Sequence, residues 1–208
     1  MALLALTILN EGDIEGLAEI TSLYREAFPG NERKPTAFLQ QAAARPDYEV
    51  IHARSGSEFV GLAVLYRSLA HEVALLEYMA VSPAARGRGY GRELYSMIAA
   101  RVEEPLLLEV ETVLPGEAGD ALRRRRKEFY RRLGCLTVEG LAYLMPKVSD
   151  ASPPPMDLMI EGFRGNAVPM TMLRTWLEDI YTGVYGRSAS DPGIDRMLRP
   201  IGATAALI

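Results

Sequence analysis

Three glycines and three arginines lie together where a strand-like segment gives way to a helix-like one. The segment 73–81 is apolar except for Glu77, and it precedes the run Arg86-Gly87-Arg88-Gly89-Tyr90-Gly91 and then Arg92. Glycine lets successive backbone N–H groups converge, the start of a helix adds partial positive charge, and arginine adds full charges. The loop is therefore predicted to bind phosphate, most simply a pyrophosphate.

This loop fits neither of two common phosphate-binding patterns. Arg92 stands where the dinucleotide-binding pattern has its third glycine, and no Gly-Lys-Ser/Thr follows as in a P-loop. Glycines that only make a tight strand-to-helix turn, with solvated arginines around them, would give the same sequence. The loop alone leaves both interpretations open.

Further motifs follow the loop in a specific order. Glu109 and Glu111 lie on the segment 106–111, where strand alternation places them on one face. The ordered set resembles the GNAT superfamily of acetyl-CoA-dependent N-acetyltransferases, strongly over residues 60–146 and not beyond Ser149. The family's loop pattern is R/Q-x-x-G-x-G/A. The residues that carry the resemblance are Glu77 to Pro83, Arg86 to Gly91 with Leu94, Leu108-Glu109-Val110 and Tyr130 to Gly134.

The resemblance implies acetyl-CoA as the co-substrate. Backbone amides of the glycine loop would hold its pyrophosphate, and the edge of the segment 72–81 would pair with the amide groups of its pantetheine arm. A free backbone N–H on that edge would polarise the thioester carbonyl. The residues predicted to bind the cofactor are Met79, Ala80, Val81, Arg86, Gly87, Arg88, Gly89, Tyr90, Gly91 and Arg92.

The resemblance also implies catalytic roles for three residues. Tyr130 would protonate the departing thiolate, and Glu109 would take a proton from the acceptor amine, directly or through a water, with Glu77 as the second choice. Transfer would be direct in a ternary complex, so Cys135 need not act as a covalent relay. The alternative for Tyr130 is a half-buried aromatic of an amphipathic helix, and for the glutamates a solvated strand face.

Residues 123–127 are five consecutive basic residues, a pattern typical of a solvated helix surface. Family members often carry Asn seven residues before the tyrosine, where Arg123 stands here. Either Arg123 or Arg126 is therefore a candidate to bind a cofactor phosphate or an acidic group of the acceptor.

Composition limits the class of protein. The 208 residues are 49% apolar and 24% charged, which is typical of one globular domain, and the net charge of −4 argues against nucleic acid as a partner. The single Cys135 permits no intrachain disulfide and suits a reducing cytoplasm. His52 and His71 are too far apart to suggest a metal site, and no apolar run reaches membrane-spanning length. We expect a soluble cytoplasmic protein without a metal, and leave a homodimer open.

The periodicity predicts a mixed α/β fold with a mostly antiparallel central sheet flanked by helices. A parallel strand pair connected by the helix 90–103 would splay apart, as the resemblance implies, and a ligand would bind at the C-terminal ends of that pair. The predicted strands are 3–9, 48–53, 59–66, 72–81, 106–111, 135–145 and 156–160, and the predicted helices are 13–28, 35–44, 90–103, one ending at Gly134, and 170–185.

Three prolines at 153–155 mark a boundary. We predict a GNAT-type acetyltransferase domain over residues 1–148 and an extension over 149–208, a strand and an amphipathic helix packed on the same domain. The apolar stripe 173–184 of that helix is expected to dock on the core, with a dimer contact as the alternative.

Taken together, the sequence predicts an N-acetyltransferase that acts on a primary amine, either a small molecule or a peptide N-terminus. The alternatives are a non-catalytic acyl-CoA sensor or interaction module of the same fold, and a nucleotide-phosphate binder that uses the loop alone. No motif specifies the acceptor.

Overall fold

The computed structural model describes residues 3–208, which form a mixed seven-stranded sheet with helices on both faces. The strands are β1 (Leu4–Leu9), β2 (Tyr48–Ser55), β3 (Glu58–Arg67), β4 (Ala74–Val81), β5 (Leu106–Glu111), β6 (Leu136–Thr137), β7 (Met156–Glu161), β8 (Ala167–Pro169) and β9 (Thr204–Ala206). The helices are α1 (Ile14–Ala27), α2 (Ala37–Ala43), α3 (Tyr90–Ala99), α4 (Asp120–Arg131), α5 (Met170–Gly183) and α6 (Pro192–Leu198).

The order of strands in the large sheet is β1-β2-β3-β4-β5-β7-β6, and β8 pairs separately with β9. All neighbours are antiparallel except β4 and β5. The predicted fold class, a mostly antiparallel sheet with one parallel pair around the helix after the glycine loop, is confirmed.

The centre of the sheet is covered on both faces, which explains why β3 reads as a nearly continuous apolar run. Leu62 and Val64 join the hydrophobic cluster on the face of α1, α2 and α5. Ala63 and Leu65 join the second cluster, on the face of α3. Successive side chains of a strand point to opposite faces, so both sets must be apolar.

The parallel pair is short because β4 carries a bulge. Along the β3–β4 ladder Val64 lies opposite Tyr78 and Leu65 opposite Leu76, so Glu77 is an extra residue on β4. A bulge bends its strand and increases the local twist. The β4–β5 pairing accordingly stops at Leu76 and Leu108, and the two strands part beyond it. The predicted splay is present.

The predicted strand 135–145 is wrong for most of its length. β6 covers only two residues, and farther along only Val138 and Tyr143 make isolated bridges. β7 occupies the place beside β5, so β6 is an edge strand, and Gly140 with a φ of +75° interrupts the extended backbone.

The residues after the prolines are integrated into the sheet. β7 pairs with β5 along its whole length, and Leu173, Trp176 and Ile180 of α5 are buried in the first hydrophobic cluster. β8, α6 and β9 were not predicted, and the helix 170–185 ends at Gly183 instead. The division of the chain at residue 148 stays a prediction.

Two kinds of feature are not found among residues 3–208. No helix there is both long enough and apolar enough to cross a membrane. No group of three or more His, Cys, Asp or Glu residues in that range is arranged to hold a metal ion.

Candidate active site

A cleft with a cavity volume of about 240 Å³ opens where β4 and β5 part. It brings together the three predicted catalytic residues, Glu77, Glu109 and Tyr130. Four of the predicted cofactor-binding residues also line it, namely Met79, Ala80, Val81 and Arg86. The other six, Gly87, Arg88, Gly89, Tyr90, Gly91 and Arg92, form the adjoining loop and the start of α3.

One edge of β4 is free beside this cleft. β4 remains paired with β3 as far as Val81, whereas its pairing with β5 ends at Leu76. The backbone N–H and C=O groups of residues 77–81 on the β5 side therefore have no strand partner. An unpaired strand edge is a template for an extended ligand with amide groups. The pantetheine arm of coenzyme A is such a ligand, so this edge fits it.

The glycine loop presents its amides in the same region. Gly87 and Gly89 have φ angles of +77° and +86°, which a residue with a side chain rarely adopts. The N–H groups of Arg92 and Glu93 both donate to the Gly89 carbonyl. Within the described residues the N–H groups of 87–91 make no hydrogen bond to protein. Free amides at the positive end of a ten-residue helix fit a pyrophosphate.

The side chains of the loop differ in what they can contact. Arg88 pairs with Glu58 at 2.7 Å, and Arg86 donates from Nε to the Val81 carbonyl at 3.2 Å. Tyr90 is buried, and its hydroxyl donates to Ser55 Oγ at 3.0 Å. Only the backbone of Tyr90 can therefore face a ligand.

Glu109 lies between two phenols. Tyr143 donates to its Oε1, and Tyr185 donates to its Oε2 at 2.6 Å. Burial raises the pKa of Glu109 to about 7, although both hydrogen bonds oppose the rise. A carboxylate with this pKa can accept a proton near neutral pH. No sequence pattern links either tyrosine to Glu109, because each is distant from it along the chain.

Glu77 is held by a buried cation instead. Its Oε1 lies 2.6 Å from Lys34 Nζ, and Tyr48 donates to its Oε2 at 3.0 Å. Burial raises the pKa of Glu77, and the charge of Lys34 opposes this. Lys34 also donates to the Val184 carbonyl at 2.8 Å and lies 4.2 Å from the centre of the Phe38 ring. A carboxylate already neutralised in this way is the weaker candidate for a base.

Tyr130 is placed by α4 against an aromatic wall. Its ring centre lies 5.5 Å from that of Tyr95 and 5.1 Å from that of Phe129. Burial raises the pKa of Tyr130 to about 12, so the phenol is protonated at neutral pH. A neutral phenol on the cleft wall has a proton to donate.

The two arginines singled out in the basic run share one carboxylate. Glu111 Oε2 lies 2.7 Å from an amino group of Arg126, and Glu111 Oε1 lies 3.5 Å from Nε of Arg123. Arg126 also lines the cleft. A role for either arginine toward cofactor or acceptor stays a prediction.

Cys135 contacts Tyr95, one of the aromatic residues beside Tyr130. It is buried, its Sγ is 2.9 Å from the Tyr95 hydroxyl, and burial raises its pKa to about 11. A protonated thiol of this kind is a poor nucleophile. This environment supports a structural role rather than a covalent relay.

Comparisons with known proteins agree with this geometry. The family model described as "Acetyltransferase (GNAT) family" matches residues 17–135. A solved GNAT-family protein of Bacteroides thetaiotaomicron superposes with a TM-score of 0.75 at 23% identity, covering 88% of this chain and 98% of that chain. No curated protein matches the sequence.

Two further solved structures share the fold. Arabidopsis thaliana NAA60 in complex with acetyl-CoA has a TM-score of 0.56 at 16% identity, covering 76% of this chain and 98% of that one. The Escherichia coli ribosomal-protein-S18-alanine N-acetyltransferase has a TM-score of 0.53 at 18% identity, covering 78% and 97%. At these identities the likeness shows the fold alone.

Proposed function

Because this chain belongs to the GNAT acetyltransferase family, as its motifs predicted, we propose that it transfers the acetyl group of acetyl-CoA directly to a primary amine, with both substrates bound together. The observation that carries the proposal is one cleft that contains Glu109, Tyr130 and the free edge of β4. A proton acceptor, a proton donor and a surface for an acyl donor are what amine acetylation requires.

The donor would be held by backbone groups. The free edge of residues 77–81 would pair with its amide groups, and the amides of residues 87–91 would hold its pyrophosphate. Arg86 and Arg92 would add positive charge beside those amides. When bound, acetyl-CoA supplies an activated acyl group on a thiol that can leave.

Glu109 would act as the general base. An amine arrives protonated at neutral pH and must lose a proton before it can attack. The Glu109 carboxylate, with its pKa near 7, can take that proton directly or through a water. Glu77 is the second candidate, made less available by its contact with Lys34.

Tyr130 would act as the general acid. It is protonated at neutral pH, so it holds a proton that it would donate to the sulfur as the carbon–sulfur bond of the thioester breaks. It reaches the cleft from the α4 side, whereas Glu109 reaches it from β5. Donor and acceptor of protons therefore lie on separate elements.

The acceptor would be a small amine or a peptide N-terminus. The name of the S18-alanine N-acetyltransferase states an alanine acceptor in a ribosomal protein, which supports the second option by analogy of fold alone. Glu32 also lines the cleft, and with Glu109 it favours a cationic acceptor. We also propose a cytoplasmic location, since the one cysteine is a buried free thiol.

Two measurements test the proposal. Saturating acetyl-CoA should raise the melting temperature, whereas ATP at the same concentration should raise it less, because only the former can use the β4 edge. Thiol release with a panel of amines should then identify an acceptor, and Tyr130→Phe should lower kcat by a factor of about 100 to 10,000.

Tyr95→Phe is the matched control, because it removes a neighbouring phenol that bonds to Cys135 and does not line the cleft. It should leave kcat within about threefold of the unmodified enzyme. Absence of any acetyl-CoA shift would overturn the proposal, and binding without turnover on every amine would favour a non-catalytic acyl-CoA sensor.

A further inference from the structure

The end of α5 reaches the proposed catalytic carboxylate. Both oxygens of Glu109 accept hydrogen bonds from phenols, one of which belongs to Tyr185, two residues beyond α5 and 76 positions from Glu109. The other belongs to Tyr143, which is buried on the segment after β6. Two donors on separate segments fix both the position and the rotation of the carboxylate.

We propose that Tyr185 is a positioning residue for Glu109, so that the C-terminal segment completes the catalytic site in addition to covering the sheet. This inference rests on the proposed function, in which Glu109 is the base. Tyr185 acts through Glu109 and is not assigned any contact with a substrate.

Tyr185 is well placed for this role because the end of α5 is fixed at several points. Asp179 accepts hydrogen bonds from Tyr66 and Ser68, both at 3.0 Å. The Gly183 carbonyl accepts from Arg45 at 3.0 Å. A Cβ at position 183 would collide with the Tyr66 hydroxyl, so glycine lets this end of the helix approach the sheet closely.

The residues just after α5 also contact Lys34, the buried cation of the site. The Val184 carbonyl accepts a hydrogen bond from Lys34 Nζ, and Lys34 is the ion-pair partner of Glu77. The ammonium group lies 5.4 Å from the centre of the Tyr185 ring. Val184 therefore contacts the ion-pair partner of Glu77 through its backbone oxygen, and Tyr185 contacts Glu109 through its phenol.

The groups around Glu109 determine how loss of the Tyr185 phenol would change the pKa of Glu109. Its environment contains Tyr143, Tyr185, Tyr181 on α5, Glu77 on β4 and Lys34 before α2. The two bonded phenols and Lys34 favour the charged carboxylate, whereas burial and Glu77 disfavour it. Burial, and next the charge of Glu109, raise the pKa of Tyr185 well above its usual range, so Tyr185 remains a donor.

The test is a titration that needs no acceptor. The full chain is labelled with glutamate carrying ¹³C at the side-chain carboxyl, and the Glu109 resonance is assigned by its loss in Glu109→Gln. In Tyr185→Phe the midpoint of this resonance should rise by about one pH unit, because one hydrogen bond to the charged form is lost. Tyr95→Phe is the matched control, since it removes a phenol that bonds to Cys135 instead of Glu109, and its midpoint should not move.

An unchanged midpoint in Tyr185→Phe, or an equal rise in Tyr95→Phe, would overturn the inference. Once an acceptor is known, the acidic limb of kcat/KM should move by the same amount in Tyr185→Phe, with KM for acetyl-CoA unchanged. A midpoint that moves while the kinetic limb does not would show that Glu109 is not the base. That outcome would overturn the role of Tyr185 in catalysis. It would not contradict acetyl-CoA binding, which the thermal shift tests separately.

Discussion

At the scale of single residues, the proposed role of Glu109 as a charged base opposes the stability of the folded protein. Burial raises its pKa from 4.5 to about 7, so the folded protein binds this proton more tightly than the unfolded chain does. A raised carboxylate pKa makes stability fall as the pH rises from about 4.5 to 7. Above pH 7 the folded protein carries a buried charge.

Glu109→Gln should therefore stabilise the protein at pH 8 while it abolishes activity. The free energy of unfolding of Glu109→Gln minus that of the unmodified protein should increase by at most about 3 kcal/mol when the pH is raised from 5 to 8. Each unit of pKa shift corresponds to about 1.4 kcal/mol. Urea unfolding at both pH values measures it. Glu111→Gln on the same strand face removes a partner of Arg126 and should bring no gain. A Glu109→Gln protein that is no more stable at pH 8 would contradict the assigned environment.

The residues of the site differ in how far the sequence could predict them. Glu109 and Tyr130 follow from local motifs, since each has a fixed distance from a strand or a helix end. Lys34, Tyr143 and Tyr185 come from irregular segments, and only the tertiary fold brings them to the carboxylates. No periodicity or spacing in the chain encodes these contacts.

At the scale of elements, two glycines of the loop differ in whether their backbone conformation requires glycine. Gly89 has a left-handed backbone and lies in open space, whereas Gly91 has an ordinary helical backbone and its Cβ would meet no atom closer than 3.6 Å. Gly89→Ala should lower the free energy of unfolding by about 1–2 kcal/mol, because a side chain strains that conformation. Gly91→Ala should preserve stability or raise it by up to about 1 kcal/mol.

The two substitutions should also differ in ligand binding. Gly89→Ala should weaken acetyl-CoA binding in calorimetry, because it distorts the turn whose amides are proposed to hold pyrophosphate, whereas Gly91→Ala should leave the affinity unchanged, because its Cβ would face Val81 and Phe129. A Gly89→Ala protein with unchanged affinity would indicate that the ligand does not approach this turn. Urea unfolding of both variants provides the stability comparison.

Elements with a clear period were predictable, and those fixed by their neighbours were not. β1 to β5 show apolar or alternating runs and α1, α3 and α4 show helical apolar patterns close to their observed bounds, and Pro35 marks the start of the short α2. Residues 135–145 have strand-like composition, but the place beside β5 is taken by β7. α6 has seven residues, too few for a helical period, although Asp191 followed by Pro192 is a signal for a helix start.

At the scale of the whole molecule, the first hydrophobic cluster combines early and late parts of the chain. Leu23 of α1, Leu75 of β4 and Trp176 of α5 belong to it together. The chain has one tryptophan, so fluorescence follows the segment after residue 149, while far-UV circular dichroism follows all elements. The two transitions in urea should coincide, since a shared core unfolds cooperatively. A fluorescence transition at lower urea would show that residues 149–208 form a separate unit.

The hydrogen bond between Glu109 and Tyr185 joins residues 76 positions apart. A chain made from its N-terminus at about 5–20 residues per second therefore contains Glu109 for roughly 4–15 s before Tyr185 has been added. During that interval the glycine loop and β4 have already been synthesised, β7 is added only in the second half, and the end of α5 is still missing. Ribosome-bound chains should thus acquire the parts of a donor site before the proton acceptor is in place, and acetylation should begin only after the last third of the polypeptide has folded.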